Sequence, residues 1–151
     1  MKIQTLILAV LLSLSITAVA GDTGRKHINL PRSGDRANLP FSDAVLVGGT
    51  LYIAGHIGLD PKTGQPASDA SEEARLVMDQ IQQTVEAAGM TMEDVVSVQV
   101  LCSDVSLYDT FNKVYRTYFK GEFPARAFLG SGKLLFGARY EVMGVAVKGM
   151  K

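Results

Sequence analysis

The sequence predicts an α+β fold in which two helices cover one face of a single β-sheet. Two glycines at positions 48 and 49 join two runs of β-favouring residues. Residues 74–88 carry apolar side chains at helical spacing, and residues 95–102 alternate in polarity as strands do. With the flanking segments these patterns give the order β-β-β-α-β-α-β-β, and helices gathered on one side of such a sheet are typical of an α+β sandwich.

The first three strands precede the first helix. Residues 25–30 can form a short strand, and a turn-rich segment follows it. Residues 44–47 and 50–54 are then the two arms of a hairpin. The primed turns that close such hairpins need a positive φ at both central residues, which glycine supplies.

Asp69 is the expected N-cap of the first helix, with Glu72 reaching back to complete a capping box. One apolar stripe follows, formed by Ala74, Val77, Ile81, Val85 and Ala88. Gly89 supplies the stop, because glycine readily adopts the left-handed conformation that ends many helices.

A fourth strand is expected over residues 95–102. One of its faces would carry Val96, Val98, Val100 and Cys102, and the other Ser97, Gln99 and Leu101. This pattern favours Cys102 as a small buried apolar side chain over a nucleophile, since no histidine stands at an offset that would activate it.

A second helix over 106–119 and two closing strands, over 125–129 and 139–147, complete the chain. The helix has an apolar stripe of Leu107, Phe111, Val114, Tyr115 and Tyr118. Two helices cover only one face of the sheet, so the other face needs cover. We assign Leu51 and Ile53 to that open face and expect subunits to pack there.

The first twenty residues have the three-part organisation of a secretory signal peptide. Met1-Lys2 is a basic start, residues 3–19 are mostly apolar, and Ala18-Val19-Ala20 supplies the small residues that a signal peptidase recognises. A retained membrane anchor is the alternative, because about 18 apolar residues is the lower end of a span. We expect cleavage after Ala20, a single domain over 21–151, and export to the periplasm or secretion.

Composition argues against several classes of function. Without Lys2 the chain has 14 Lys and Arg against 15 Asp and Glu, a net charge of −1, whereas nucleic-acid-binding domains are usually basic. The single cysteine cannot form an internal disulfide, and Cys102, His27 and His56 lack metal-ligand spacing. We therefore expect no metal, no other cofactor and no nucleic-acid partner.

Two charged residues in apolar strands are the strongest candidates for chemistry. Arg126 follows the rigid turn at Phe123-Pro124, and Glu141 stands within Tyr140-Glu141-Val142-Met143. Charged groups in apolar surroundings must be paired or must face a ligand. An Arg126–Glu141 ion pair is the simpler explanation of the spacing, and a ligand site is the other. No phosphate loop, Gly-x-Ser-x-Gly elbow or HExxH motif is present.

The chain resembles the Rid/YjgF family over about residues 40–148, in unbroken order. The matching motifs are Pro40-Phe41-Ser42-Asp43-Ala44, residues 47–57, Asp60-Pro61-Lys62-Thr63-Gly64, Val85-Glu86-Ala87-Ala88-Gly89, Phe111-Asn112-Lys113-Val114-Tyr115 and Phe123-Pro124-Ala125-Arg126-Ala127. The resemblance implies the chorismate-mutase-like fold and a homotrimer with ligand clefts between adjacent subunits. It also implies hydrolysis of reactive enamines and imines, such as 2-aminoacrylate, to 2-oxo acids and ammonia.

Two residues match catalytic positions of that family. Arg126 matches the arginine that binds the substrate carboxylate, and a guanidinium can hold such an anion through two parallel hydrogen bonds. Glu141 matches the glutamate that positions or activates water. Gly55 matches a glycine close to the ligand, and Asn112 matches an asparagine near the cleft. The resemblance thus favours a ligand role for Arg126 and Glu141 over an ion pair.

Several positions depart from the family pattern. Phe41 stands where many members have a tyrosine, His56 replaces a common glutamine, and Phe128 stands where some relatives have a cysteine. We expect all three to be substrate-binding residues, and His56 could donate a proton or simply form the cleft wall. The segment 134–137 and Met143 also depart, and together these residues predict a more apolar pocket than is usual.

Two other functions fit the same features. One is a non-catalytic protein that binds a small carboxylate, and the other is a chaperone-like protein that uses exposed apolar surface. Tight 2-oxo acid binding without turnover would favour the first. Suppression of client aggregation that survives mutation of Arg126 would favour the second. Ribonuclease activity, another theme of the family, has little support from a net charge of −1.

Overall fold

The computed structural model of the chain describes residues 24–31 and 39–149. Six strands and two helices follow one another in the predicted order: β1 Arg25–Ile28, β2 Ala44–Val47, β3 Thr50–Ile57, α1 Ala70–Ala87, β4 Val95–Cys102, α2 Tyr108–Tyr115, β5 Ala125–Gly130 and β6 Tyr140–Val147. The strands form one sheet in the order β1-β2-β3-β6-β4-β5. Only β4 and β5 run parallel among these pairs. The proposed signal peptide, residues 1–20, lies outside the described residues.

The hairpin between β2 and β3 is confirmed. Gly48 and Gly49 have φ values of 54° and 84°, the left-handed pair that a two-residue primed turn requires. Val47 pairs with Thr50 on either side of the turn.

The first helix begins and ends where the sequence predicts. The Asp69 side chain accepts a hydrogen bond from the Glu72 backbone N–H at 2.9 Å. The Glu72 carboxylate binds Arg75 instead of completing the capping box. Gly89, with φ 74°, follows the C-cap Ala88. No helix of the described residues is long and apolar enough to span a bilayer.

Both helices pack against one face of the sheet, and the hydrophobic core lies between them and the strands. The assignment of Leu51 and Ile53 to the open face is wrong, because both side chains are buried in this core. The alternation of β3 places Tyr52 on the open face instead, where more than half of its surface is exposed. The sheet therefore has an open face, but Tyr52 lies on it rather than the neighbouring Leu51 and Ile53.

The fourth strand also differs from its predicted face pattern. A bulge lies between Val95 and Ser97, so Val96 is exposed while Val95 and Val98 are buried. The burial of Cys102 is confirmed, and its thiol donates to the Asp104 carbonyl at 3.0 Å. Burial raises the pKa of this thiol, which disfavours the thiolate that a nucleophile needs.

The second helix is shorter than the sequence predicts. Single 3₁₀ turns over Val105–Leu107 and Arg116–Tyr118 flank α2, so the predicted range 106–119 contains three helical pieces. Phe111 and Tyr115 are buried, as the apolar stripe indicated.

Candidate functional site

Arg126 lies on β5, at the edge of the sheet, with its side chain on the face covered by the helices. Its backbone pairs with Val98, which is buried on that face. The guanidinium carbon lies 4.5 Å from the ring centre of Tyr115, 5.7 Å from that of Tyr108 and 5.9 Å from that of Phe128. Arg126 is therefore held by aromatic faces, which attract a cation without occupying its N–H groups.

A cavity of about 200 Å³ opens beside this guanidinium. It is lined by Tyr108, Asn112, Tyr115, Arg116, Phe123, Pro124 and Arg126, and we call it the arginine pocket. Within the described residues no carboxylate pairs with Arg126. A guanidinium with free donors beside a cavity that also contains the Asn112 side chain can bind a small anion.

Tyr115 belongs to this pocket, although its sequence position indicated only the helix stripe. The side chain is 4% exposed, and its hydroxyl has no hydrogen-bond partner in the described part of the chain. Burial raises the pKa of Tyr115 to about 12, and the positive charge of Arg126 opposes that rise. Helical spacing alone could not reveal this contact, because it depends on where β5 places Arg126.

Glu141 lies on β6, and its side chain is on the open face of the sheet. It pairs with Leu101 of β4. The neighbouring pair, Val142 and Val100, is buried on the helix-covered face, so Glu141 and Leu101 point to the opposite face. The carboxylate lies over Gly55, where an added Cβ would collide with Oε1. A bulge between Ile53 and His56 shapes β3 at this point. A larger residue at position 55 would therefore have to displace the end of the Glu141 side chain.

A second cavity, of about 560 Å³, surrounds Glu141. We call it the glutamate pocket; its lining residues are Leu39, Phe41, Ala54, Gly55, His56, Ile57, Leu59, Gly64, Gln80, Leu135, Phe136 and Glu141. Within one chain the fold therefore places four of the predicted site residues, Phe41, Gly55, His56 and Glu141, around one cavity. It places Asn112, Phe128 and Arg126 in a separate group.

His56 and Phe128 occupy different surroundings from those of a typical ligand-binding side chain. His56 is 4% exposed; its Nε2 lies 3.4 Å from Thr84 Oγ1, and its Nδ1 lies 3.9 Å from Asp43 Oδ1. The ring of Phe128 packs edge-on against those of Tyr108 and Phe111, beside Arg126. These contacts favour His56 as a cleft-wall residue and Phe128 as a support for the guanidinium.

The Arg126–Glu141 ion pair does not form, because the two side chains lie on opposite faces of the sheet. In the part of the chain that the structure describes, a buried carboxylate is paired with a different arginine, which the sequence did not indicate. Arg139 donates to the fully buried Glu73 carboxylate at 2.5 Å. The described residues also contain no cluster of three His, Cys, Asp or Glu side chains suited to a metal ion.

Comparison with known proteins covers the part of the chain that holds both pockets. The sequence profile of a family described as Endoribonuclease L-PSP matches residues 34–148. The human protein named 2-iminobutanoate/2-iminopropanoate deaminase is 41% identical over 111 residues, which cover 73% of this chain and 81% of the human protein. A RutC family protein of Sulfurisphaera tokodaii is 37% identical over 111 residues, covering 73% of this chain and 89% of that protein.

Solved structures confirm the predicted fold class. E. coli TdcF with bound serine superposes with a TM-score of 0.74 at 26% identity, covering 82% of this chain and 100% of TdcF. The YjgF gene product of E. coli gives a TM-score of 0.74 at 28% identity, covering 82% of this chain and 99% of that chain. The order of strands and helices described above is therefore the YjgF-like one.

Proposed function

The chain belongs to the Rid/YjgF family, and on this premise we propose that it hydrolyses reactive imines of amino acids to 2-oxo acids and ammonia. Relatives at about 40% identity carry the name 2-iminobutanoate/2-iminopropanoate deaminase, which supports imine deamination at the level of the family. The proposal that this chain itself hydrolyses imines depends on its two pockets.

The single observation that carries the proposal is the guanidinium of Arg126, which has no carboxylate partner among residues 24–31 and 39–149. Its carbon faces three aromatic rings, and a cavity lies beside it. A 2-imino acid presents a planar carboxylate, which a guanidinium binds through two parallel N–H···O bonds. Hydrogen bonds to charged groups contribute about 1.5–3 kcal/mol, enough to fix the orientation of a small molecule. The E. coli relative with bound serine supports an amino-acid-like ligand.

We place the reaction between two copies of the chain. Arg126 and Glu141 lie on opposite faces of the sheet, so one small ligand cannot touch both within a single chain. In a head-to-tail contact the arginine pocket of one copy faces the glutamate pocket of the next, and three such contacts can close a ring. Tyr52, Leu129 and Val147 are exposed and supply apolar surface for this packing.

The proposed chemistry assigns one step to each residue. Arg126 holds the carboxylate, and an enamine first tautomerises to the imine. Glu141 accepts a proton from a water molecule, whose oxygen attacks the electrophilic imine carbon. Glu141 passes that proton to the nitrogen as the C=N bond becomes a single bond. The hydroxyl proton of the adduct then also moves to the nitrogen, the C–N bond breaks, and ammonia leaves while the oxygen remains as the 2-oxo group. An iminium carbon reacts readily, so positioning supplies most of the acceleration.

The test measures imine hydrolysis while an amino-acid oxidase generates the imine in situ. We expect Arg126→Ala to lower kcat/KM by about 10- to 100-fold, the range that a lost charge-assisted interaction implies. Arg75→Ala is the matched control, because Arg75 forms exposed ion pairs with Glu72 and Asp79 that contribute little to stability. An Arg126→Ala protein that hydrolyses imines at the parental rate would refute the proposal.

We also propose that the protein is exported, from the signal-peptide pattern of residues 1–20. Sequencing of the protein recovered outside the cytoplasm should begin at Gly21. Recovery with Met1 intact would contradict cleavage.

A further inference from the structure

The lining of the glutamate pocket is mainly apolar around the Glu141 carboxylate. Two other polar side chains reach it, and both have protein partners. Gln80 Nε2 donates to the Ile57 carbonyl at 3.0 Å. His56 is buried beside Asp43 and Thr84. The remaining large side chains in the lining are Leu39, Phe41, Ile57, Leu59, Leu135 and Phe136.

Three of these apolar side chains are unusually exposed. Phe41 is 51% exposed, Leu135 68% and Phe136 60%, and they come from two segments far apart in the sequence. Phe136 also has a φ of 57°, in the left-handed region that side chains other than glycine rarely adopt. Such a conformation persists where the surrounding structure holds it, and it is often found at ligand sites.

The groups attached to the imine carbon of the proposed substrate indicate what Phe41, Leu135 and Phe136 contact. An imine carbon carries three groups: the nitrogen, the carboxylate and the amino-acid side chain. If Glu141 delivers water to that carbon, the substrate side chain lies one bond away from the point of attack. The apolar lining around Glu141, in a cavity of about 560 Å³, is therefore within reach of that side chain.

We propose that the glutamate pocket selects imines with large apolar side chains, such as those of leucine, methionine and phenylalanine. This inference rests on the proposed function, and it makes Phe41, Leu135 and Phe136 specificity-determining residues. Burial of additional substrate carbons against these side chains favours such substrates over the alanine-derived imine. Hydrophobic pockets distinguish substrates that differ by one methylene by about 10-fold or more.

The experiment compares kcat/KM for imines generated in situ from leucine, phenylalanine and alanine. We expect the leucine-derived imine to be preferred over the alanine-derived one by at least about 10-fold. The test variant is Phe136→Gly, which removes the ring and relaxes the left-handed backbone, so folding is preserved. It should reduce the preference several-fold. The control variant Val105→Ser removes a similarly exposed apolar side chain outside the pocket and should leave the ratio unchanged.

The outcomes separate this inference from the proposed function. A parent protein that hydrolyses the alanine-derived imine as well as the leucine-derived one overturns the selectivity and leaves the deaminase function standing. If no imine is hydrolysed, calorimetry with 4-methyl-2-oxopentanoate and pyruvate decides. Tighter binding of the first, lost in Phe136→Gly, supports selection by a non-catalytic site. Equal or undetectable binding of both overturns it.

Discussion

Arg126 lies near the beginning of β5 and Arg139 immediately precedes β6, but their guanidinium groups meet different partners. Arg139 Nη1 donates to the Glu73 carboxylate at 2.5 Å and to the Ala67 carbonyl at 2.8 Å. Its Nη2 donates to the Ser68 carbonyl at 2.9 Å. Arg126 instead faces the rings of α2 and β5, beside a cavity.

The difference teaches how to separate a structural arginine from a binding one. Arg139 joins the start of β6 to α1, through Glu73, and to the carbonyls of residues 67 and 68. The Glu73 carboxylate strengthens this connection, because it also accepts the backbone N–H groups of Arg139 and Tyr140. The donors of Arg139 are used by the fold. The aromatic faces around Arg126 lower the cost of holding a cation there and leave its donors for a ligand. Both residues are arginines, so only their surroundings distinguish the binding role of Arg126 from the structural role of Arg139.

The largest expected effect is on stability, at Arg139. Arg139→Met leaves the fully buried Glu73 carboxylate without its cation, and breaking a buried pair in this way costs about 3–5 kcal/mol. Arg126→Met loses only cation–π contacts, and we expect less than about 1 kcal/mol. Urea unfolding at one protomer concentration measures both changes in the free energy of unfolding.

Activity should follow the opposite order in the variants that remain folded. Arg126→Met should lower kcat/KM for imine hydrolysis by about 10- to 100-fold while its unfolding midpoint stays near that of the parent. Equal destabilisation by the two substitutions would mean that Arg126 is as structural as Arg139, and the comparison would fail.

Much of the fold follows from local patterns in the sequence. The glycine pair at 48–49, the cap at Asp69 and the apolar stripe of α1 depend on residues close together in the chain, and each is confirmed. The face assignments of Val96 and Leu51 are wrong, because they depend on a bulge and on pairing with distant strands. Register decides which side chains point inward, and periodicity alone does not determine it.

The candidate site shows the same limit. The residues Arg126 and Glu141 stand out as charges in apolar strands, but their separation onto opposite faces follows only from the pairing of β5 and β6 with β4. Glu73 and Arg139 are 66 positions apart, and nothing local marks them as partners. The contact of Tyr115 with Arg126 likewise joins two different elements, and the position of Tyr115 within a helical stripe does not reveal it.

A second prediction compares two glycines, each of which has other atoms of the protein packed closely against its Cα. Gly144→Ala would place a Cβ 2.6 Å from the Ser97 carbonyl oxygen, which is backbone and cannot easily move. Overpacking of this kind costs about 1–3 kcal/mol. Gly55→Ala meets the end of the flexible Glu141 side chain instead. We expect it to displace the carboxylate, lowering kcat with little change in the free energy of unfolding.

Thermal or urea unfolding together with imine-hydrolysis kinetics measures both glycine variants. If Gly55→Ala retains the parental kcat, Glu141 does not need its observed position to act. If Gly144→Ala is as stable as its parent, β6 can move away from β4 and the register described here is less constrained than the contact implies.

The smallest expected effect concerns the proton on Tyr115, beside Arg126. Burial raises the pKa of this hydroxyl from 10.0 to about 12. The folded state therefore holds the phenolic proton more tightly than the unfolded chain does. The stability that this contributes is present below pH 10 and is lost as the pH rises from 10 to about 12. Tyr115→Phe should flatten that part of the stability curve.

Arg126 can be tested through the same hydroxyl. Its positive charge lowers the pKa of Tyr115, so Arg126→Met should move the tyrosinate titration to higher pH. Ultraviolet absorbance of the variant minus that of its Tyr115→Phe counterpart isolates this one tyrosine. Arg75→Ala is the control, because it also removes one positive charge, from a guanidinium that is paired with Glu72 and Asp79 rather than placed against the Tyr115 ring. A shift in the control as large as that in Arg126→Met would show that the two arginines act on Tyr115 alike, and that the free cation of the arginine pocket is not distinct from the paired one.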